Sequence, residues 1–169
     1  MTVTYRIATS ADVDAIDRIF RTSFCDTFAH LYRPEDLDAF LGKFTREAWL
    51  GEMNDPAYVF RIAEDDGQPA GYLKLGPLSL PIAVQESSME LRQLYVLKAW
   101  HGAGIARELT DWFLAEARQR GAEEIYLTVY TDNHRARRFY ERYGFEVIGP
   151  YAFMVGEQAD EDLIMRLKL

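Results

Sequence analysis

Residues 89–131 constrain the fold more than any other part of the chain. "MELRQLYVL" alternates in polarity like a strand, the stretch from Ala99 to Ala106 crowds small residues into a turn, and the run that follows to Arg120 carries apolar residues at helical spacing. Gly121 stands where a helix C-cap belongs, and "EEIYLTVYT" follows as a second alternating strand. Strand, helix and strand in that order make a crossover between parallel neighbours. Upstream, "YVFRIAEDDGQPAGYLKLG" predicts a hairpin turning at Asp66-Gly67, which makes antiparallel neighbours. The two units together imply a mixed sheet.

The remaining segments fit around that sheet. "TVTYRIA" predicts a first strand, and Thr9 or Ser10 caps a helix that carries Val13, Ile16 and Phe20. Residues 34–53 predict helix, with Pro34 in the first turn and Leu37, Leu41 and Phe44 on one side. Residues 76–88 hold two prolines and predict a loop. Asn133 caps a short helix bearing Ala136, Phe139, Tyr140 and Tyr143, and Gly144 stops it before the strand "FEVIG". "YAFMVG…DLIMRLKL" predicts two more strands around an acidic loop. The chain shows no linker, repeat or low-complexity tract, so residues 1–169 are expected to form one α/β domain. Its length is enough to bury a core without staples.

Charge and cysteine content narrow the function. The net charge of −8 argues against nucleic-acid binding and favours cationic small molecules. Cys25 is the single cysteine, so neither a disulfide framework nor a cysteine metal site is expected, and no apolar run reaches membrane length. A cytoplasmic location follows from these. No His/Cys/carboxylate group has metal-ligand spacing, so no metal is expected.

A strand feeding a glycine-rich turn into a helix N-terminus makes an anion site, because the first helical N–H groups lack intrahelical partners and the helix dipole adds positive charge. The P-loop pattern fails for want of a lysine after Ala99. The dinucleotide fingerprint starts at Gly102 and Gly104, but Arg107 stands in place of its third glycine. Taken alone, the stretch reads equally well as a structural turn and as a phosphate cradle.

Two longer motifs shift that balance. "MELRQLYVLKAWHGAGIARELTDWFLAEA" and "YLTVYTDNHRARRFYERYGFEVIG" resemble the signatures of the GNAT superfamily of acyl-CoA N-acetyltransferases. Gly104 and Ala106 match that family's Arg/Gln-x-x-Gly-x-Gly/Ala loop, whereas His101 departs from it. Asn133, Ala136, Phe139, Tyr140, Gly144 and Phe145 match the second motif. "SFCDTF", "PAGYLKL" and "FMVGEQADEDLIMRL" look like the PaiA-type polyamine N-acetyltransferases.

The resemblance implies a GNAT fold: a single mixed, mostly antiparallel, twisted sheet flanked by helices, with a central splayed strand pair. It implies acetyl-CoA as co-substrate and a small amine, of polyamine type, as acceptor, with direct attack in a ternary complex. Backbone groups of Gly102, Ala103, Gly104, Ile105, Ala106 and Arg107 would hold the diphosphate, with His101, Asn133 and Tyr140 also at the coenzyme. The pantetheine arm would pair with the main chain at Leu94, Tyr95 and Val96. Tyr140 would protonate the departing thiolate, its bland reading being a core aromatic beside Phe139 and Tyr143. Glu90 would act as base through water, and reads equally as a solvated strand-end residue. A protein or peptide N-acetyltransferase and a non-catalytic acyl-CoA-binding module remain alternatives, and the family admits a homodimer. His30, His134, Cys25, the arginines at 135, 137 and 138, the tryptophans and the acidic run Glu157–Asp162 read as packing or solvated surface.

Overall fold

The computed structural model describes residues 1–84 and 86–169. In chain order the strands are β1 (Val3–Ile7), β2 (Val59–Asp65), β3 (Gln68–Gly76), β4 (Ser88–Val96), β5 (Glu124–Tyr130), β6 (Glu146–Val155) and β7 (Gln158–Lys168). The helices are α1 (Val13–Phe28), α2 (Pro34–Leu41), α3 (Arg46–Met53), α4 (Ile105–Gln119) and α5 (His134–Arg142). The strands form one sheet in the order β1-β2-β3-β4-β5-β7-β6. The expected crossover joins β4 to β5, which run parallel, and the other neighbours are antiparallel. This is the mixed, mostly antiparallel sheet that the resemblance implies.

Local chemistry sets the turns. Asp66 and Gly67 hold φ of 49° and 81°, the two successive left-handed residues that a two-residue hairpin needs. Each face of the sheet then carries its own core. Leu73 and Leu75 of β3 pack with Ile105, Leu109 and Phe113 of α4. The alternate residue Tyr72 faces the other way, into an aromatic cluster of Phe20 and Phe24 from α1, Trp49 from α3 and Phe60 from β2.

Three segments differ from the sequence reading. Residues 34–53 make two helices rather than one, because Thr45 starts a new one by accepting from the Ala48 N–H at 3.1 Å. "FEVIG" and "YAFMVG" are one strand, β6, which a bulge between Val147 and Gly149 carries past Pro150. The acidic run is mostly strand, since the chain reverses tightly at Gly156 and β7 begins at Gln158. Asp160 and Asp162 are therefore in-strand residues sharing one face, and both are buried.

The crossover helix is held by Phe113, which is fully buried between α4 and the sheet. Phe113→Ala is expected to lower unfolding free energy by about 3–5 kcal/mol, read from urea denaturation midpoints.

Candidate active site

The parallel pair is short. Strand β4 pairs with β5 only from Ser88 to Glu90, opposite Glu124 to Tyr126, after which the two part. On its other edge β4 stays paired with β3, and the Leu97 N–H donates to the Ala70 carbonyl at 2.8 Å. Main-chain polar groups alternate in direction along a strand, so those of Leu94 and Val96 point away from β3 into the gap. The Val96 carbonyl accepts there from His101 Nε2 at 2.8 Å.

The chain leaves β4 through a short turn and enters α4 at Gly104. Gly102 and Gly104 hold φ of 82° and 85°, the left-handed region that disfavours any other residue. Among the described residues, the N–H groups of Gly102, Gly104, Ile105, Ala106 and Arg107 have no protein acceptor. Ala103 is the exception in this loop, donating to the Trp100 carbonyl at 3.3 Å. Five free donors beside the positive end of a fifteen-residue helix fit an anionic diphosphate. The Arg107 side chain is largely in solvent, 3.9 Å from Asp111.

The gap opens a cleft of about 170 Å³. Residues Leu91–Tyr95 and Leu127–Tyr130 line its two sides, with Asn133, Ala136 and Tyr140 contributed by α5. Asn133 caps that helix, accepting from the Ala136 N–H at 3.3 Å, and this fixes where Tyr140 falls. Tyr140 is buried, and burial pushes its phenol well above the ordinary value. The Tyr95 phenol is raised too, by burial first and then by Tyr140 and Asp162. Both hydroxyls therefore stay protonated at neutral pH.

Two strand carboxylates complete the lining, Asp160 and Asp162. Asp160 accepts from the Tyr32 hydroxyl, which burial and Asp160 hold far above its usual range. Asp162 is 7% exposed and, among the described residues, accepts no hydrogen bond. Burial, reinforced by the charge of Asp160, pushes its carboxyl up to about 7. The sequence places this pair in an acidic loop that would suit a polyamine but reads as solvated surface. The signal it held was the two-residue spacing of acids running into "DLIMRL", which is strand periodicity.

Glu90 is placed differently. It is buried and lies outside the cleft lining, with Oε1 accepting from the Ser79 N–H and Oγ, each at 3.0 Å. Its other oxygen is 3.1 Å from Arg92 Nε. Arg135, exposed on α5, approaches His101 Nδ1 at 3.3 Å, and the half-buried Arg137 donates to the Thr131 carbonyl at 3.0 Å. His30 and His134 are exposed, and Arg138 lies on the outer face of α5. Trp49 is core, whereas Cys25 is half-buried with its thiol pushed up by burial, which leaves no reactive thiolate. Among the described residues, no group of three His, Cys, Asp or Glu side chains could hold a metal. No helix is long and apolar enough to cross a membrane.

Known proteins resemble this arrangement along its length. The model of the acetyltransferase (GNAT) family matches residues 15–145. An uncharacterized N-acetyltransferase from the pepI 3' region of Lactobacillus delbrueckii subsp. lactis is 28% identical over 160 residues, covering 94% of this chain and 92% of that protein. An uncharacterized N-acetyltransferase of Mycobacterium tuberculosis is 30% identical over 155 residues, covering 91% of this chain and 96% of its own length. The crystal structure of the PaiA N-acetyltransferase of Thermoplasma acidophilum in complex with coenzyme A superposes with a TM-score of 0.81 at 22% identity, covering 100% of both chains.

Asp162 carries a stability signature. Burial and Asp160 push its folded carboxyl up to about 7 against an ordinary 3.8, so between those pH values the unfolded chain ionises while the fold keeps the proton. Wild-type stability should therefore lose a contribution as pH rises from about 4 to 7 and hold level above that. Asp162→Asn, a neutral mimic, is expected to raise the thermal midpoint at pH 8 and leave it unchanged at pH 4, compared by circular dichroism melts.

Proposed function

The chain belongs to the acetyltransferase (GNAT) family, and from that premise we propose that it acetylates a cationic small amine of polyamine type with acetyl-CoA as donor. The observation that carries the acceptor half is Asp162: a buried carboxylate without a hydrogen-bond donor, lining a cleft that opens where the two central strands part. A protonated amine is its complement in charge and in hydrogen bonding. The net charge of −8 adds a general attraction for such a substrate. The coenzyme A complex of the Thermoplasma acidophilum PaiA protein, which shares this fold, supports the donor half.

Each residue then has a physical task. The free N–H groups of Gly102 and of Gly104 to Arg107 hold the diphosphate, and α4 adds its dipole. The main-chain groups of Leu94 and Val96 hold the peptide-like arm as a further strand would be held. Bound acetyl-CoA supplies an acetyl group activated as a thioester. The Val96 N–H, directed into the gap, favours charge on an oxygen placed there. Tyr140, kept protonated by its burial, gives its phenol proton to the departing sulfur. The aromatic walls from Phe24, Phe28 and Phe153 exclude water from the reacting groups.

Release of free thiol from acetyl-CoA, measured against polyamines, amino acids, aminoglycosides and peptides, tests this reading. Amine-dependent release strongest with polyamines is expected, and its absence across the panel overturns the proposal. Tyr140→Phe should lower the rate at saturating substrates by about 100-fold, with the coenzyme A dissociation constant unchanged by calorimetry. Gly104→Val forces a branched side chain into φ of 85° and should weaken coenzyme A binding by about tenfold or more.

A further inference from the structure

We propose that Asp162 is the group that takes the proton from the incoming ammonium, the role that the family resemblance would give to Glu90. The inference rests on the amine-acetylation reading above. Its basis is the contrast between two buried carboxylates. Glu90 is committed to Ser79 and Arg92 and lies outside the cleft lining. Asp162 lines the cleft and, among the described residues, has no donor. Its neighbour Asp160, two residues along the same face, is engaged by Tyr32. The pair therefore divides its work: Tyr32 occupies Asp160, and Asp162 keeps its lone pairs for the substrate.

Among the described residues, the surroundings contain no cation to replace that substrate. Tyr130 of β5 and Tyr151 of β6 stand directly across from Asp162 in the sheet register. Tyr95 and Tyr140 approach from β4 and α5, and Tyr32 from the segment after α1. Arg92 also borders the cleft, but its guanidinium is bound to Glu90 at 3.1 Å and to the Pro77 carbonyl at 3.2 Å. Phenols and a second carboxyl group thus surround Asp162, and burial, reinforced by Asp160, makes it basic enough to accept a proton at physiological pH.

The proton count closes. Asp162 accepts one proton from the ammonium, which frees the nitrogen lone pair. That pair forms the C–N bond to the acetyl carbon as the C–S bond breaks, and Tyr140 supplies a proton to the sulfur. The nitrogen, acidified by acylation, returns a proton to the Tyr140 phenolate, and Asp162 passes its own to solvent. One proton is released per amide formed.

The experiment is a pH profile of kcat/KM for spermidine between pH 5.5 and 10 by thiol release, with wild type, Asp162→Asn and Glu90→Gln. Wild type should rise to a plateau above a pH of about 7. Asp162→Asn should fall by about 100-fold at pH 7 and climb without a plateau toward the free amine's own pKa of about 10. Coenzyme A affinity should match wild type in Asp162→Asn, which reports an intact fold. Glu90→Gln should keep the plateau. A second readout needs no turnover: ¹³C NMR of aspartate carboxyls should show one group titrating close to 7 in wild type and none there in Asp162→Asn. A plateau that survives in Asp162→Asn, or that vanishes in Glu90→Gln, overturns the assignment while leaving amine acetylation standing. Wild type that acetylates no amine overturns the acceptor reading, and this assignment with it.

Discussion

The parting of β4 from β5 is the constraint on which the rest depends. Two parallel strands that share only three residue pairs leave backbone donors and acceptors facing a gap, and buried main-chain polar groups need partners. Glu90 is the last residue of β4 paired with β5, opposite Tyr126, and its carboxylate is pinned between Ser79 and Arg92. On the other edge of β4, the register with β3 shifts between Lys74 and Leu75, close to the same point. A bulge there bends and twists the pair. The buried glutamate and the bulge together fix where the strands separate, and so where the cleft begins. Its position gives Glu90 a structural reason to be buried that needs no chemistry.

The gap accounts for both halves of the site. Along β4 it exposes the main chain of Leu94 and Val96, and from its end the chain turns through Gly102 and Gly104 into the positive end of α4. On the far side it exposes the face of β7 that carries Asp160 and Asp162. Burying two carboxylates two residues apart is costly unless hydrogen bonds or a counter-charge offset it. Tyr32 offsets one of them. The other retains a proton up to a pH of about 7, which lowers the cost in the free protein and sets a demand for a cation that a protonated amine meets.

Much of this was legible in the sequence because it is local. The Asp66-Gly67 turn, the glycine entry to α4, the Asn133 cap and the Gly121 stop are each set by residues within a few positions of one another. The split between α2 and α3 was local as well, in the Thr45 cap, but the apolar spacing of residues 34–53 reads straight across it. Asp162 was illegible for a different reason. An acid-rich run is normally solvated surface, and only pairing on both edges, with Tyr130 of β5 and Tyr151 of β6, makes it a buried strand. Tyr32 reaches Asp160 across 128 residues of sequence, a distance no pattern along the chain encodes. The aromatic partners of the cleft, Phe24 and Phe28, lie within "SFCDTF", a stretch that carries a family likeness but no spacing that points to a cleft.

His101 marks where this loop departs from the family pattern, and the structure gives it a specific part. One ring nitrogen lies 2.8 Å from the Val96 carbonyl and the other 3.3 Å from a guanidinium nitrogen of Arg135. A carbonyl only accepts and a guanidinium only donates, so these partners select the tautomer with the proton on Nε2. The ring thereby ties the end of β4 to the first turn of α5, across the mouth of the gap. An arginine in that slot has no acceptor to offer Arg135 and would repel it. The exchange of residue thus replaces a mobile guanidinium near the glycine loop with an imidazole brace. Under the proposed function, anion binding falls to the backbone N–H groups, whose geometry Gly102 and Gly104 set.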